Sequence, residues 1–321
     1  MGTPKFASTI LEKILDSALF ELVGLVCQPD KPVGKGKELE MPATKKFLLE
    51  TGVKARILQP MKLRNNPEIV AEMSELKPDL ILVAAYGKII PLEILKLPRY
   101  GSVNVHGSLL PKYRGASPIQ AVLLNNETKT GVTFMLMDEK MDEGDIISNF
   151  QIPISKKDNY PILSEKLSSL VADKVEQVLL EYLQGELKSV PQNHSQATYC
   201  GIVKKEDGKI DWQKHSAEQI SNMLRAYFPW PGMWCEYKGK RLKILEGGVL
   251  EKQKEQEELR REIKGDEGEV GMVMRGEKGR IEVVCKEGIL ELKRVQLEGK
   301  KEMGIEEFIR GQREFAGSKL G

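Results

Sequence analysis

The segment Ser102-Val-Asn-Val-His-Gly-Ser-Leu-Leu-Pro-Lys-Tyr-Arg-Gly115 holds the polar residues whose spacing best suits chemistry. On a β-strand, residues i and i+2 point to one face, so the Asn104 amide and the His106 imidazole converge while Val103 and Val105 face the other way. An amide donor beside an imidazole suits reaction at a carbonyl: the amide steadies a developing oxyanion and the imidazole handles protons. A carboxylate partner is offered by Met137-Asp-Glu-Lys-Met-Asp-Glu-Gly-Asp145, which apolar runs bracket and in which Gly144 permits a tight turn. Asp138, Asp142 and Asp145 all remain open as that partner. His194 and His215 lie in polar surroundings and read as structural.

The elements that must position this pair are legible as an alternation of helices and strands up to about residue 150. Helical spacing runs from Phe6 to Leu15, strand patterns cover Leu22 to Val26, Asp79 to Ala85 and Val103 to His106, and a short helix follows Pro91. Such alternation predicts a Rossmann-like parallel sheet flanked by helices, with ligands bound beyond the carboxyl ends of the strands. The chain opens on Met1-Gly-Thr-Pro4, a strand-to-helix turn with no strand before it. A first strand is therefore expected upstream of a shortened sequence. Between Gln28 and Glu38, Lys31, Lys35 and Lys37 could grip a phosphate backbone. The glycines there match neither a P-loop nor a dinucleotide fingerprint.

An amphipathic helix is predicted from Ile162 to Leu183, followed by a polar stretch that reads as a linker. Short strand patterns then recur at Trp234 to Tyr237, Leu242 to Leu245, Val270 to Met274, Ile281 to Val284 and Ile289 to Leu292, after a helix over Ile220 to Tyr227. These predict a small β-barrel. The expected division is a catalytic domain over 1–185, a linker over 186–204 and a barrel domain over 205–321. The charged run from Glu251 to Glu269 mixes both signs and reads as a solvated segment.

Composition bounds the function. The 321 residues are 40% hydrophobic and 30% charged, with a formal charge of +2, so any nucleic-acid contact must be local rather than global. Cys27, Cys200, Cys235 and Cys285 have no metal-site or disulfide-framework spacing, which favours a reducing cytoplasm and no metal. No apolar run approaches a membrane span and the given residues show no basic-then-apolar leader pattern, so neither membrane insertion nor export is expected.

Over nearly its whole length the chain resembles the methionyl-tRNA formyltransferases. The match includes Met1-Gly-Thr-Pro4 with Phe6, Gln28-Pro-Asp-Lys31, Gly34-Lys-Gly-Lys37, Ala85-Tyr-Gly-Lys-Ile-Ile-Pro91, Asn104 to Pro111, Arg114-Gly-Ala116 and Met141 to Asp145. In the second half it includes Gly208-Lys-Ile-Asp-Trp212, Arg225-Ala-Tyr-Phe-Pro-Trp-Pro231 and Gly299 to Met303. The resemblance implies formyl transfer from 10-formyltetrahydrofolate to the α-amino group of methionyl initiator tRNA, with Asn104, His106 and Asp142 catalytic. It further implies folate contacts from Lys88, Ile89, Ile90 and Pro91, from Ser108, Leu109, Leu110 and Pro111, and from Met137, Asp138 and Gly144. Contacts to tRNA are implied for Lys31, Lys35, Lys37, Lys204 and Lys205. A monomer is expected. Two positions depart from the family pattern: Lys35 stands where Arg is usual, and Tyr199-Cys-Gly-Ile202 where Ala-Pro-Lys commonly follows the tyrosine. A folate-dependent formyltransferase of an amino sugar or purine precursor, and an inactive tRNA-binding protein, are the alternatives.

Overall fold

The computed structural model describes residues 1–33, 38–250 and 269–321. In chain order the elements of the first part are α1 (Lys5–Asp16), β1 (Gly24–Val26), β2 (Lys31–Val33), β3 (Glu38–Glu40), α2 (Ala43–Thr51), β4 (Arg56–Leu58), α3 (Pro67–Glu75), β5 (Ile81–Val83), α4 (Leu92–Leu95), β6 (Ser102–His106), β7 (Arg114–Gly115), α5 (Pro118–Leu124), β8 (Lys129–Leu136), β9 (Ile146–Pro153), α6 (Tyr160–Leu183) and β10 (Tyr199–Cys200). There follow α7 (Ala217–Ala226), β11 (Met233–Tyr237), β12 (Lys240–Val249), β13 (Val273–Arg275), β14 (Ile281–Val284), β15 (Ile289–Leu297), β16 (Met303–Gly304) and α8 (Ile305–Gly311).

Two compact units result. The first comprises Met1–Ile119, Thr128–Ser155 and Ile162–Ile202, and the second Gln120–Glu127, Lys156–Pro161 and Val203–Gly321. In the first, β1 pairs parallel with β4, and β5 parallel with β6, as alternation predicts. The sheet then reverses, because β6–β8 and β8–β9 are antiparallel. The return over residues 137–145 joins β8 to β9 as a hairpin that needs no crossover helix, so the parallel sheet carries an antiparallel edge.

Met1 and Gly2 are extended and join the two parallel pairs. Gly2 N donates to the Val26 carbonyl at 3.0 Å, and Ala84 N donates to the Met1 carbonyl at 2.9 Å. Beyond these two residues, β1 and β5 are separated by an apolar cavity of about 510 Å³ lined by Ile10, Leu11, Leu25, Ile81, Leu82 and Leu179 among others. Helix α6 seals this unit through a stripe of Leu163, Leu167, Val171, Val175, Val178 and Leu179, all fully or nearly fully buried. That spacing is the amphipathic pattern read from the sequence.

Of the stretch 186–204, expected as a linker, residues 186–202 belong to the first unit. Ile146 and Val190 exchange two backbone hydrogen bonds of 2.8 Å, and β10 pairs parallel with β7. The second unit is an antiparallel sheet in the order β11-β12-β15-β14-β13, with β16 added on β15, curled as a half-barrel. Helix α7 opens with a capping box in which the Ser216 hydroxyl accepts from Gln219 N and the Gln219 side chain accepts from Ser216 N. Tyr237, Phe308 and Phe315 form an edge-to-face cluster in this core. The charged run 251–268 lies outside the described residues.

All four cysteines are free thiols. Burial pushes Cys27 up to about 11, and Cys235 and Cys285 up to about 12, so at pH 8 each stays a protonated, unreactive thiol. Titration with a thiol dye at pH 8 is expected to leave these three silent in the native protein and to count four in denaturant. Rapid labelling of Cys27, Cys235 or Cys285 before unfolding would contradict this packing.

Candidate active site

Strand β6 carries Asn104 and His106 on one face, with Val103 and Val105 buried on the other. Asn104 is half-buried opposite Met135, and His106 is buried opposite Thr133. The loop that follows turns back through its own polar groups. Ser108 donates to the Lys112 carbonyl at 2.6 Å, and Thr133 donates to the Ser108 carbonyl at 2.7 Å while accepting from Leu110 N at 3.1 Å. This brings the backbone of Tyr113 against the imidazole.

His106 Nε2 lies 2.9 Å from the Tyr113 carbonyl. A carbonyl only accepts, so Nε2 carries the proton and Nδ1 is left as the nitrogen that can take one. Nδ1 faces Asp142 Oδ1 at 3.6 Å, and the Asn104 amide donates to the same oxygen at 3.5 Å. The other carboxylate oxygen, Oδ2, accepts from Gly115 N at 2.8 Å. Of the three aspartates that residue pattern left open, the structure brings Asp142, the one the resemblance implies, to the pair. Asp138 caps a turn by accepting from Lys140 N, and Asp145 accepts from the Ser189 hydroxyl at 3.5 Å.

Two backbone features make this arrangement possible. Tyr113 (φ 61) and Asp142 (φ 56) both occupy the left-handed region, which costs a non-glycine residue about 1–2 kcal/mol. Gly115 has φ 117, and a Cβ there would lie 2.1 Å from the Cys200 carbonyl oxygen, so only glycine lets β7 approach β10.

Beneath the loop, Arg114 is 1% exposed. Its guanidinium faces Glu143 Oε1 at 3.4 Å, stacks 5.9 Å from the Tyr199 ring centroid, and donates through Nε and Nη2 to Gln192 Oε1 at 3.1 and 2.8 Å. Neither Tyr113 nor Gln192 was singled out by sequence reasoning. A backbone carbonyl leaves no residue-type signal, and Gln192 sits in a polar stretch without periodicity.

The remaining expected residues divide. Leu109, Pro111, Met137 and Gly144 belong to the loops around the trio, and a Cβ on Gly144 would meet the Leu136 carbonyl oxygen at 1.9 Å. Leu110 and Ile90 are buried in the core, Ile89 is exposed, and Pro91 precedes α4. Lys88 is engaged elsewhere, donating to the carbonyls of Pro60 and Met61 at 2.9 and 2.8 Å, and desolvation by burial lowers its pKa. Lys31 is exposed and donates to Gln28 Oε1 at 2.6 Å, while Lys204 and Lys205 are exposed on the second unit. Lys35 and Lys37 lie outside the described residues.

The second unit carries a polar groove of about 550 Å³ lined by Trp234, Lys240, Arg241, Lys243, Gln296 and Glu298, among others. The Arg241 guanidinium stacks 4.0 Å from the Trp234 ring centroid, and Lys209 Nζ lies 5.4 Å from it. Among the described residues, no group of three or more His, Cys, Asp or Glu side chains could hold a metal, and no helix is long and apolar enough to cross a membrane.

Comparison with known proteins defines the class. The formyl transferase family model matches residues 1–183, and the formyl transferase C-terminal domain model matches 202–313. In fold the chain is similar to an N-formyltransferase from Helicobacter canadensis solved with folinic acid and dTDP-3-aminofucose (TM-score 0.62, 19% identity, 91% of this chain and 96% of that one). It is similar also to HypX from Aquifex aeolicus in complex with tetrahydrofolic acid (TM-score 0.56, 18% identity, 84% and 44%). The architecture is thus that of a formyltransferase. Curated methionyl-tRNA formyltransferases are far nearer in sequence: that of Caldanaerobacter subterraneus is 41% identical over 97% of this chain and 95% of its own length, and that of Acetivibrio thermocellus 39% over 100% and 98%. The chain belongs to the methionyl-tRNA formyltransferase family.

The glycine requirement is directly testable. Gly115→Ala is expected to lower the free energy of unfolding by about 1–3 kcal/mol. Gly201→Ala, where an added Cβ meets nothing within 4 Å, serves as the neutral control. Equal denaturation midpoints for the two variants would rule out the close β7–β10 approach.

Proposed function

We propose that this chain transfers the formyl group of 10-formyltetrahydrofolate to the α-amino group of methionyl initiator tRNA. The observation that carries the reading is the convergence of Asn104, His106 and Asp142 at one strand end, in a chain about 40% identical to methionyl-tRNA formyltransferases over nearly its full length.

The folate donor supplies a formyl group on a nitrogen that must leave; the protein supplies what the transfer needs. The acceptor amine needs little activation, since an α-amino group titrates at roughly pH 7.7–8.0 and esterification lowers that further. Asn104 spends its amide on one long contact to Asp142 and so retains a donor for the oxygen that becomes negative when the amine adds to the formyl carbon. His106 Nδ1 takes the proton the amine sheds, and Asp142 at 3.6 Å steadies the resulting imidazolium. The same proton returns to the departing nitrogen, so the imidazole ends as it began. The Tyr113 carbonyl holds the ring in the required tautomer throughout.

For the acceptor, the groove on the second unit offers what RNA requires. Among the described residues Lys240 and Lys243 form no salt bridge, and Arg241, stacked on Trp234, adds a third cation to the groove. Lys31, Lys204 and Lys205 are exposed and available to phosphates.

The test is formyl transfer to methionyl initiator tRNA, with an amino-sugar nucleotide as control acceptor. Asn104→Ala, His106→Ala and Asp142→Ala are each expected to lower kcat by about 10²–10⁴-fold with tRNA affinity changed only a few-fold. Near-normal turnover in any one removes that residue from the mechanism, and transfer to the sugar alone refutes the tRNA reading. Replacing Lys240 and Lys243 together by Ala should weaken tRNA binding and flatten its dependence on log salt by about one unit per lost phosphate contact. An unchanged slope would remove the groove from the interface.

A further inference from the structure

We infer that Gln192 is the positioning residue for Asp142, a role that rests on the proposed reaction. Gln192 is 5% exposed and uses both ends of its amide. Its Oε1 accepts from Arg114 Nε and Nη2 at 3.1 and 2.8 Å, and its Nε2 donates to the carbonyls of Asp142 and Gly144 at 2.9 and 2.7 Å.

The chemistry of the four partners admits only this arrangement. A guanidinium can only donate and a carbonyl can only accept, so the bridging group must be an acceptor at one end and a donor of two hydrogens at the other. A primary amide fits; a carboxylate would set an acceptor oxygen against the two carbonyls, and an apolar isostere would leave both carbonyls without a donor and take one acceptor from the buried guanidinium.

The bonds close a ring around the reacting carboxylate. Asp142 Oδ2 accepts from Gly115 N, and the residue preceding Gly115 is Arg114, whose guanidinium holds Gln192 Oε1. Gln192 Nε2 then returns to the Asp142 carbonyl. The carboxylate is thus tied through both its side chain and its backbone to one dipeptide. The tie matters because Asp142 sits at φ 56 on a half-exposed loop, a conformation with no helix or strand to maintain it. Gln192 itself is held between two staples, the Val190–Ile146 pair before it and the β10–β7 pair after it. Both staples are main-chain pairings outside residues 141–145.

The role differs from mere packing in what it moves. Releasing the loop lets Asp142 leave His106 Nδ1 and the Asn104 amide while strand β6 stays in place, so turnover falls while substrate binding holds. Gln192→Glu and Gln192→Met are expected to lower kcat by about 10–100-fold with both KM values within threefold, and to accelerate amide hydrogen exchange across residues 141–145. In an Asp142→Asn background the same changes should cost nothing further, since the residue they position no longer carries a charge to His106. Unchanged kcat and exchange in both variants would overturn the inference, as would losses that multiply with that of Asp142→Asn. Absence of transfer by the wild-type protein would instead sink the proposed reaction, and exchange over 141–145 would still decide whether Gln192 holds the loop.

Discussion

The parallel pairing of Arg114–Gly115 with Tyr199–Cys200 fixes where the Tyr113 carbonyl and the Gly115 N–H point. From that two-residue contact the site follows. The carbonyl selects the His106 tautomer, and the N–H takes one oxygen of Asp142, leaving the other for the imidazole and the Asn104 amide. The pairing needs a glycine at 115 because the Cys200 carbonyl occupies the space of a Cβ. It also needs the chain after α6 to come back across the first unit rather than leave it.

Charge is handled in the same economical way. Arg114 is almost wholly buried, a costly state for a guanidinium unless every face is met. Here Glu143 supplies the opposite charge, Gln192 the planar acceptor and Tyr199 the aromatic face. Removing one member of such a pair costs about 3–5 kcal/mol, more than removing an exposed one. The buried cation therefore stiffens the ground on which the site stands without itself reaching the reacting atoms.

Much of this was legible in the chain. The period-two alternation of β6 placed Asn104 and His106 on one face, and the helical stripe of α6 gave its buried side, because both signals are local and repeat along the backbone. What sequence pattern alone did not resolve is non-local. Asp138, Asp142 and Asp145 are equivalent as residue types, and only the fold around Gly115 separates them. The antiparallel turn of the sheet at β8 and β9 lacked a signature because strand direction is set by the pairing partner, not by the residues of either strand. Gln192 was absorbed into a polar stretch, since a residue satisfied by partners about 50 and 80 positions away looks like any surface glutamine in a window of ten.

The orienting partners of His106 and of the Asp142 carboxylate are both main-chain atoms, the oxygen of residue 113 and the nitrogen of residue 115. Beyond the glycine that residue 115 requires, such partners depend on how many residues separate them from β6. The seven-residue reach from His106 to Tyr113 is therefore a specification written in length. A substitution at Lys112 leaves the register intact, whereas inserting or deleting one residue anywhere in that loop would present the wrong peptide group to the ring. The length of this loop is thus a constraint separate from its side chains, such as the Ser108 hydroxyl that donates to the Lys112 carbonyl.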